Sequence, residues 1–460
     1  GGLVARDCVK NYGGNTKVDT LVMLGAPNYG TVLTNLLAAL TFGTCLGHTA
    51  CLQMAIDSPY LNALNAGPDV IAPVKYVSIY SAIDELVIPP SNAALKDGAT
   101  NVELQSQCPQ RAIEHLGAMV AQAVPELWGV PAMRHEAACA SSSLAVLTAM
   151  AEIEAGRYGC VLVLGAEEFR NLPGNVASRN QNAAAWQGRE GIDCTFMWPA
   201  VFGLLAGEYE RRYGLDRKHL NRISAINYGN ARRNPLSQTR SWEFRDNSFS
   251  DDDRANPVIE PGVRRQDCGQ ITDGACAVVL ASGEFAAAHV RARGGRLAQL
   301  PRIQGWGHHN AGLRYRDKIE RSRDQELVFP HVHDTIRDAF RRAGIAGVEA
   351  LDGIETHDCF TVTEYMAIDH FGITAPGQSW QAVESGLIEM GGKLPINPGG
   401  GLIGCGHPVG ATGARMLFDA ARQVSGQAGA MQVEGATRFA TLNIGGSCAT
   451  VVSFVVGVDG

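Results

Sequence analysis

The stretch that most limits what this chain can fold into is Arg134–Phe169, RHEAACASSSLAVLTAMAEIEAGRYGCVLVLGAEEF. A turn of small residues runs into a helix that sets Leu144, Leu147 and Met150 on one face. Gly156 is a natural helix stop, and CVLVLG after it is an apolar strand with no polar face. Buried strands of this kind, which recur in KVDTLVMLGAP and PVKYVSIYSAID, are the pattern of an α/β fold. The same grammar returns near the end of the chain. NPGGGLIGCGHPVGATGARM (397–416) is a glycine-dense loop followed by a helix with Ala414, Leu417, Ala421 and Val424 at helical spacing. TLNIGGSCATVVSFVV (441–456) is a strand, a Gly-Gly turn and a second strand. Between them, the amphipathic HDTIRDAFRRAGI sets Ile336, Ala339, Phe340 and Ala343 on one face and leads to IETHDCFTVTEY (354–365).

Composition narrows the function classes. The formal charge of −7 and the absence of any Lys/Arg cluster argue against a nucleic-acid partner. Apolar runs such as Val161–Leu164 and Val451–Val456 are too short to span a bilayer. The first residues, GGLVARDCVKNYGG, show no charged leader and no long apolar segment, so a signal peptide is not expected. Residues 1–114 hold four Lys and two Arg, whereas 115–460 hold three Lys and thirty Arg. That switch places a seam near residues 113–129.

Twelve cysteines include no C-x-x-C pair and no zinc-like His/Cys spacing, so no metal ligands are expected. Cys45 and Cys51, flanking LGHTA, suit a small disulfide loop of an oxidising compartment. The eight cysteines after the seam read as reduced core residues, so the two parts imply different compartments.

Three segments carry chemistry. Cys139 stands at a helix N-terminus, where the dipole favours thiolate; a simply packed cysteine is the bland reading of it alone. His357 and Cys359 stand at a strand-to-loop exit, and His407 sits in the glycine loop. One such histidine is more often structural. Together they offer a nucleophile, a second thiol, two acid/base groups and free backbone N–H groups, the set that acyl transfer through a covalent thioester requires.

The first 114 residues carry a different pattern. KVDTLVMLGAP and PVKYVSIYSAID read as buried strands, and GGLVARDCVKNYGG as a short helix ending at Gly13. With APNYGT (26–31), SAIDELVIP (81–89) and DGATNVELQSQCPQRAIEHLG (97–117), this part resembles the C-terminal half of a secreted bacterial lipase of the α/β-hydrolase fold. The resemblance implies Asp84 as triad acid and His115 as triad base, with the serine of the nucleophile elbow two places before Gly1. Without that serine the pair is vestigial, and Asp84 as a loop carboxylate and His115 as a helix residue are the competing assignment.

From residue 115 onward, EAACAS, DGACAVVLAS (273–282), HDCF and GHPVGATG, in this order, resemble the thiolase superfamily. HDCF is similar to its sterol-carrier-protein-2-type branch. The resemblance implies a duplicated βαβαβαββ fold in layers, with a thiolase-like N-terminal domain over 115–290 (loop region about 170–260) and a C-terminal domain over 291–460, after a hydrolase fragment over 1–114. It implies Cys139 as the acylated nucleophile and His407 as its base. His357 and His407 would donate to one oxyanion hole, and the backbone N–H groups of Cys139 and Gly445 would form the other. Many thiolases carry an acid/base cysteine where this chain has Asn443, so that role passes to Cys359. Ser142 stands where the family commonly has glycine, and Cys405 reads as a loop residue. In the family a βαβ segment precedes this region; the lipase-like stretch takes its place, so the N-terminal half is expected to be incomplete, with exposed strand edges and apolar surface.

The function implied is a CoA-dependent acyltransferase of thiolase type, acting on 3-ketoacyl-CoA or in the reverse Claisen condensation. Coenzyme A or acyl-CoA would be substrate, and no permanently bound cofactor is expected. The competing classes are an inert or binding thiolase-like fusion and a serine lipase or esterase. The resemblance further implies a homo-oligomer (dimer or tetramer), a cytoplasmic thiolase part, and a possible OB-fold/zinc-ribbon partner protein. NARRNP (230–235) is either a CoA-phosphate contact or a solvated surface.

Overall fold

The computed structural model describes the whole chain except residues 1, 25, 42, 46–47, 81–86, 104–119, 122, 192, 295–296 and 459–460. Two compact units emerge, Gly1–Ala132 and Met133–Gly460.

In the first unit, helix α1 (Gly2–Asn11) precedes strand β1 (Thr20–Leu24), and helices α2 (Val32–Leu40), α3 (Thr49–Gln53) and α4 (Pro59–Leu64) lead to β2 (Lys75–Tyr80) and β3 (Thr100–Glu103). The strands form a parallel sheet in the order β1-β2-β3, with Leu21 opposite Tyr76 and Val77 opposite Thr100. Val9, Leu21, Met23, Val74, Tyr76 and Leu95 make its core. Arg6, fully buried, is kept tolerable by a 2.8 Å pair with Asp69, since a buried charge without a partner would be strongly destabilising. Cys45 and Cys51 are joined in a disulfide, as their spacing suggests.

The second unit holds the repeated pattern. Helix α5 (Ser141–Glu154) and strand β4 (Cys160–Glu167) are followed by α6 (Gly174–Gln181), α7 (Met197–Tyr213), α8 (Arg217–Ala231), the short strands β5 (Val258–Glu260) and β6 (Val263–Arg264), and β7 (Gly274–Ala281). Then come α9 (Gly283–Ala292), β8 (Arg302–Asn310), α10 (Tyr315–Arg321), α11 (Pro330–Ala343), β9 (Gly353–Thr356), α12 (Thr361–His370), α13 (Trp380–Glu384), α14 (Thr412–Val424), β10 (Arg438–Gly445) and β11 (Thr450–Gly457).

The C-terminal half builds a sheet in the order β8-β11-β10-β9, with β11 antiparallel to both neighbours and β9 parallel to β10. Its residues alternate between two cores, as a period of two requires. Val451 and Val455 of β11 join the cluster around Ile336 and Ala339 of α11, whereas Val452, Phe454 and Val456 join Leu417, Ala420 and Val424 of α14. In the N-terminal half, β4 and β7 pair antiparallel from Cys160–Ala281 to Glu167–Gly274, as β10 and β11 do. Helices α5 and α14 pack together between the two sheets.

The halves then diverge. Among the described residues of this unit, the β4-β7 pair has no counterparts of β8 and β9. Val161 and Val163 face the central helices, but Leu162, Leu164 and Val279 are 48%, 44% and 65% exposed. The apolar pattern of β4 implies cover on both faces; the structure provides it on one. The expected α/β class is thus present, and among the described residues the β4-β7 pair is covered on one face.

Candidate active site

Cys139 lies in the tight turn Ala138–Ala140 that feeds α5. Ala138 just before it has φ 51°, a left-handed conformation that disfavours a residue with a Cβ by roughly 1 kcal/mol. Two side chains hold that strain in place. Glu136 Oε1 accepts from the Ala138 N–H at 2.7 Å, and Ser141 Oγ donates to the Ala138 carbonyl at 2.6 Å. Gly445 at the end of β10 is required by close approach: a Cβ there would sit 2.3 Å from the Ala137 carbonyl oxygen. The backbone N–H groups that face the Cys139 sulfur are its own and that of Gly446. Burial pushes the thiol up to about 12, with Glu167 and Glu136 adding to the shift. The helix-terminus argument favours thiolate; in the structure, loss of hydration outweighs it, and the resting group is a neutral thiol.

His357 leaves β9 and His407 leaves the glycine loop, both buried, with ring centroids 5.3 Å apart and planes at 87°. The nearest donor atoms of Cys139, His357 and His407 all lie within 4.8 Å of one another. Burial, then the neighbouring His407 and Arg415, holds His357 well below the usual imidazole range; burial and Arg415 bring His407 down to about 3. Both rings are therefore neutral near pH 7.

Their hydrogen bonds assign opposite tautomers. Thr412 Oγ1 donates to the Pro408 carbonyl at 3.0 Å, so at 2.7 Å it accepts from Nδ1 of His407. His407 then carries its proton on Nδ1 and offers the Nε2 lone pair. On His357, the Ile444 N–H and the Asn443 side-chain amide both approach Nδ1, at 3.4 and 3.1 Å. Nδ1 is the acceptor there, and Nε2 carries the proton. One ring is a base and the other a donor. The same three residues form a geometric donor set for a metal ion, but His357 would have to give up its Nε2 proton before ligating.

Cys359 is buried beside this group, its thiol raised well above the ordinary range by burial first and by proximity to Cys139 second. Its neighbour Asp358 accepts from the Leu402 and Ile403 N–H groups at 2.6 and 3.2 Å and from Asn227 Nδ2 at 2.9 Å. Glu364 accepts from Asn227 and Asn397 at 2.7 and 2.8 Å. Asn230 and Asn234 donate to the carbonyls of Asn397 and Gly399. These buried amides and carboxylates fix the glycine loop that carries His407, and the sequence reading did not single them out. The pairing of Asp358 with His357 in one tetrapeptide was the available signal.

The remaining sequence candidates fall into place. Cys405 accepts from Asn234 Nδ2 at 3.4 Å and packs the loop. Ser142 is buried, and its Oγ accepts from the Ala414 N–H at 2.9 Å, docking α14 onto α5. In NARRNP the asparagines hold the loop, while Arg232 is exposed and lies over the Phe244 ring at 6.0 Å. Asp84 and His115 lie outside the described residues.

The structure thus brings a thiol, two buried imidazoles and a second, buried thiol together on an α/β scaffold. Two of the families that match the chain are thiolase domains. Residues 101–247 match the family described as thiolase, N-terminal domain, and residues 315–458 match thiolase C-terminal domain-like. These matches support the thiolase superfamily. Residues 2–128 match the family described as lipase (class 2). The chain is similar to an acetyl-CoA acetyltransferase of Methanothermobacter thermautotrophicus, 29% identical over 342 residues that cover 73% of this chain and 82% of that protein. It is also similar to human sterol carrier protein 2, 28% identical over 364 residues, covering 76% of this chain and 61% of that protein.

Two solved structures share the fold. An Ltp2-ChsH2(DUF35) aldolase superposes with a TM-score of 0.53 at 18% identity, over 84% of this chain and 87% of that one. A monomeric SCP2-thiolase like protein type 1 from Mycobacterium smegmatis gives 0.52 at 15%, over 83% and 67%. No helix among the described residues is long and apolar enough to cross a membrane.

Proposed function

We propose that this chain is a CoA-dependent acyltransferase of thiolase type, forming an acyl-enzyme on Cys139. The observation that carries the reading is the opposite tautomers of His407 and His357 around one thiol. His407 Nε2 takes the Cys139 proton as sulfur attacks the 3-keto carbon of a 3-ketoacyl-CoA. The carbon–carbon bond breaks and acetyl-CoA leaves as its enolate. The Nε2–H of His357 and the newly protonated His407 stabilise the enolate oxygen. Cys359 gives its proton to the enolate carbon and recovers one from the thiol of coenzyme A. The resulting CoA thiolate displaces the acyl group from Cys139, which takes back the proton held by His407. Claisen condensation is the reverse sequence. Tetrahedral oxyanions on the Cys139 side are assigned to the backbone N–H groups of Cys139 and of the Gly445–Gly446 turn, where the Gly446 N–H faces the sulfur.

Coenzyme A enters as a substrate and no resident cofactor is assigned. The thiolase part is proposed to act in the cytoplasm, as a dimer or tetramer and with a small OB-fold/zinc-ribbon partner; the DUF35 component named with the aldolase neighbour is compatible with a partner protein. Residues 1–114 are proposed as a lipase-like segment, with Asp84 and His115 as its acid and base. The test is turnover of a 3-ketoacyl-CoA by the purified full chain and by Cys139→Ala; equal rates refute the mechanism. A second reading, an inert binding fusion, draws on the exposed outer face of β4 and β7. Under it, folded protein acquires no acyl group from acetyl-CoA.

A further inference from the structure

Asn443 occupies the place where many thiolases keep an acid/base cysteine, yet an amide has no proton to move near pH 7. Its surroundings show another use. It is 1% exposed, and its Oδ1 accepts from Ser143 Oγ at 2.7 Å. With the oxygen held by that hydroxyl, the amide nitrogen is turned to His357 Nδ1 at 3.1 Å. Ser143 belongs to α5, Asn443 to β10 and His357 to the exit of β9, so the chain of hydrogen bonds ties three elements together. A fourth leaves room for it. At Gly413 of α14, a Cβ would lie 2.1 Å from Ser143 Oγ and 2.6 Å from Asn443 Oδ1. No residue other than glycine at 413 would let this pair meet undisturbed.

We propose that Asn443, oriented by Ser143, is a positioning residue that locks His357 in the tautomer whose Nε2–H faces the substrate. An amide N–H pointing at Nδ1 cannot share that atom with a ring proton, so the proton stays on Nε2. The Ile444 N–H, longer at 3.4 Å, supports the same tautomer. Asn443 thus sets the state of an oxyanion donor without touching substrate. The inference rests on the acyl-transfer reading for its consequence. The tautomer itself is read without substrate, so failure of one is distinguishable from failure of the other.

The experiment is nitrogen NMR of the full chain with labelled histidine, with the His357 signals assigned by loss in His357→Gln. The expected wild-type pattern is a protonated Nε2 and an unprotonated Nδ1. Asn443→Asp replaces the donor with a carboxylate that accepts from Nδ1, so the proton should move there and Nε2 should become an acceptor. With one oxyanion donor lost, kcat should fall roughly 100-fold while KM for acyl-CoA stays the same. Ser143→Ala, which frees the amide to rotate, should give mixed tautomers. A wild-type His357 protonated on Nδ1 overturns the proposal, even where Asn443→Asp does not fold. So does a folded Asn443→Asp variant with unchanged tautomer or unchanged kcat.

Discussion

Replacing Thr412 by Val is a narrow perturbation of the proposed base. Thr412 is fully buried, and Val keeps its shape while removing the hydroxyl. Two hydrogen bonds are lost, the 2.7 Å bond from His407 Nδ1 and the 3.0 Å bond to the Pro408 carbonyl. A buried group left without its partner destabilises by about 1–3 kcal/mol, so the melting temperature should drop correspondingly. The bond also favours the Nδ1–H tautomer over the alternative. Removing about 1.4 kcal/mol of that preference shifts the ratio of the two tautomers about tenfold toward the form that cannot act as an Nε2 base. Acylation by acetyl-CoA, followed by rapid mixing, quenching and intact-mass measurement, should therefore slow severalfold, up to about tenfold, with Thr412→Ser close to wild type. A folded Thr412→Val variant that acylates at the wild-type rate refutes the assignment of His407 as an Nε2 base.

Further predictions concern the thiols and the buried carboxylates. With burial holding Cys139 up to about 12, alkylation of this residue by iodoacetamide should rise about tenfold per pH unit from about pH 7 to 10; a plateau near pH 8, read by peptide mapping, would contradict the neutral resting thiol. Cys359→Ala should still accept an acetyl group from acetyl-CoA but lose thiolysis and condensation by roughly 100-fold or more, the scale of a lost acid/base group. Glu364 is raised from 4.5 to about 8 by burial and the nearby Asp358. The folded state holds that proton more tightly than the unfolded one, so the associated stability is full below about pH 4.5 and lost as pH rises toward 8. Glu364→Gln should therefore shrink the fall in melting temperature between about pH 6 and 8; an unchanged fall would place the titration elsewhere.

The meeting of Cys139, His357, Cys359 and His407 was legible because they sit at ends of elements that local pattern defines. Small residues before an apolar helix mark Cys139, a strand exit marks His357 and Cys359, and a run of glycines marks His407. The expectation of exposed apolar surface in the N-terminal half meets the exposed outer face of β4 and β7 among the described residues. What periodicity does not carry is hydrogen bonding between segments far apart in the chain. Ser143 meets Asn443 across 300 positions, and Asn227 meets Asp358 across 131. The ionisation of Cys139 was misjudged for a related reason. A helix N-terminus is visible in sequence, whereas the burial that opposes its effect depends on the ends of β9 and β10 and on the glycine loop.

The most direct test of the account is the site of acetylation. Full-length protein mixed with acetyl-CoA should gain one acetyl group, and peptide mapping should place it on Cys139, with Cys139→Ala remaining unmodified. An acetyl group found on Cys359 or another residue, or none on folded wild-type protein, would contradict it.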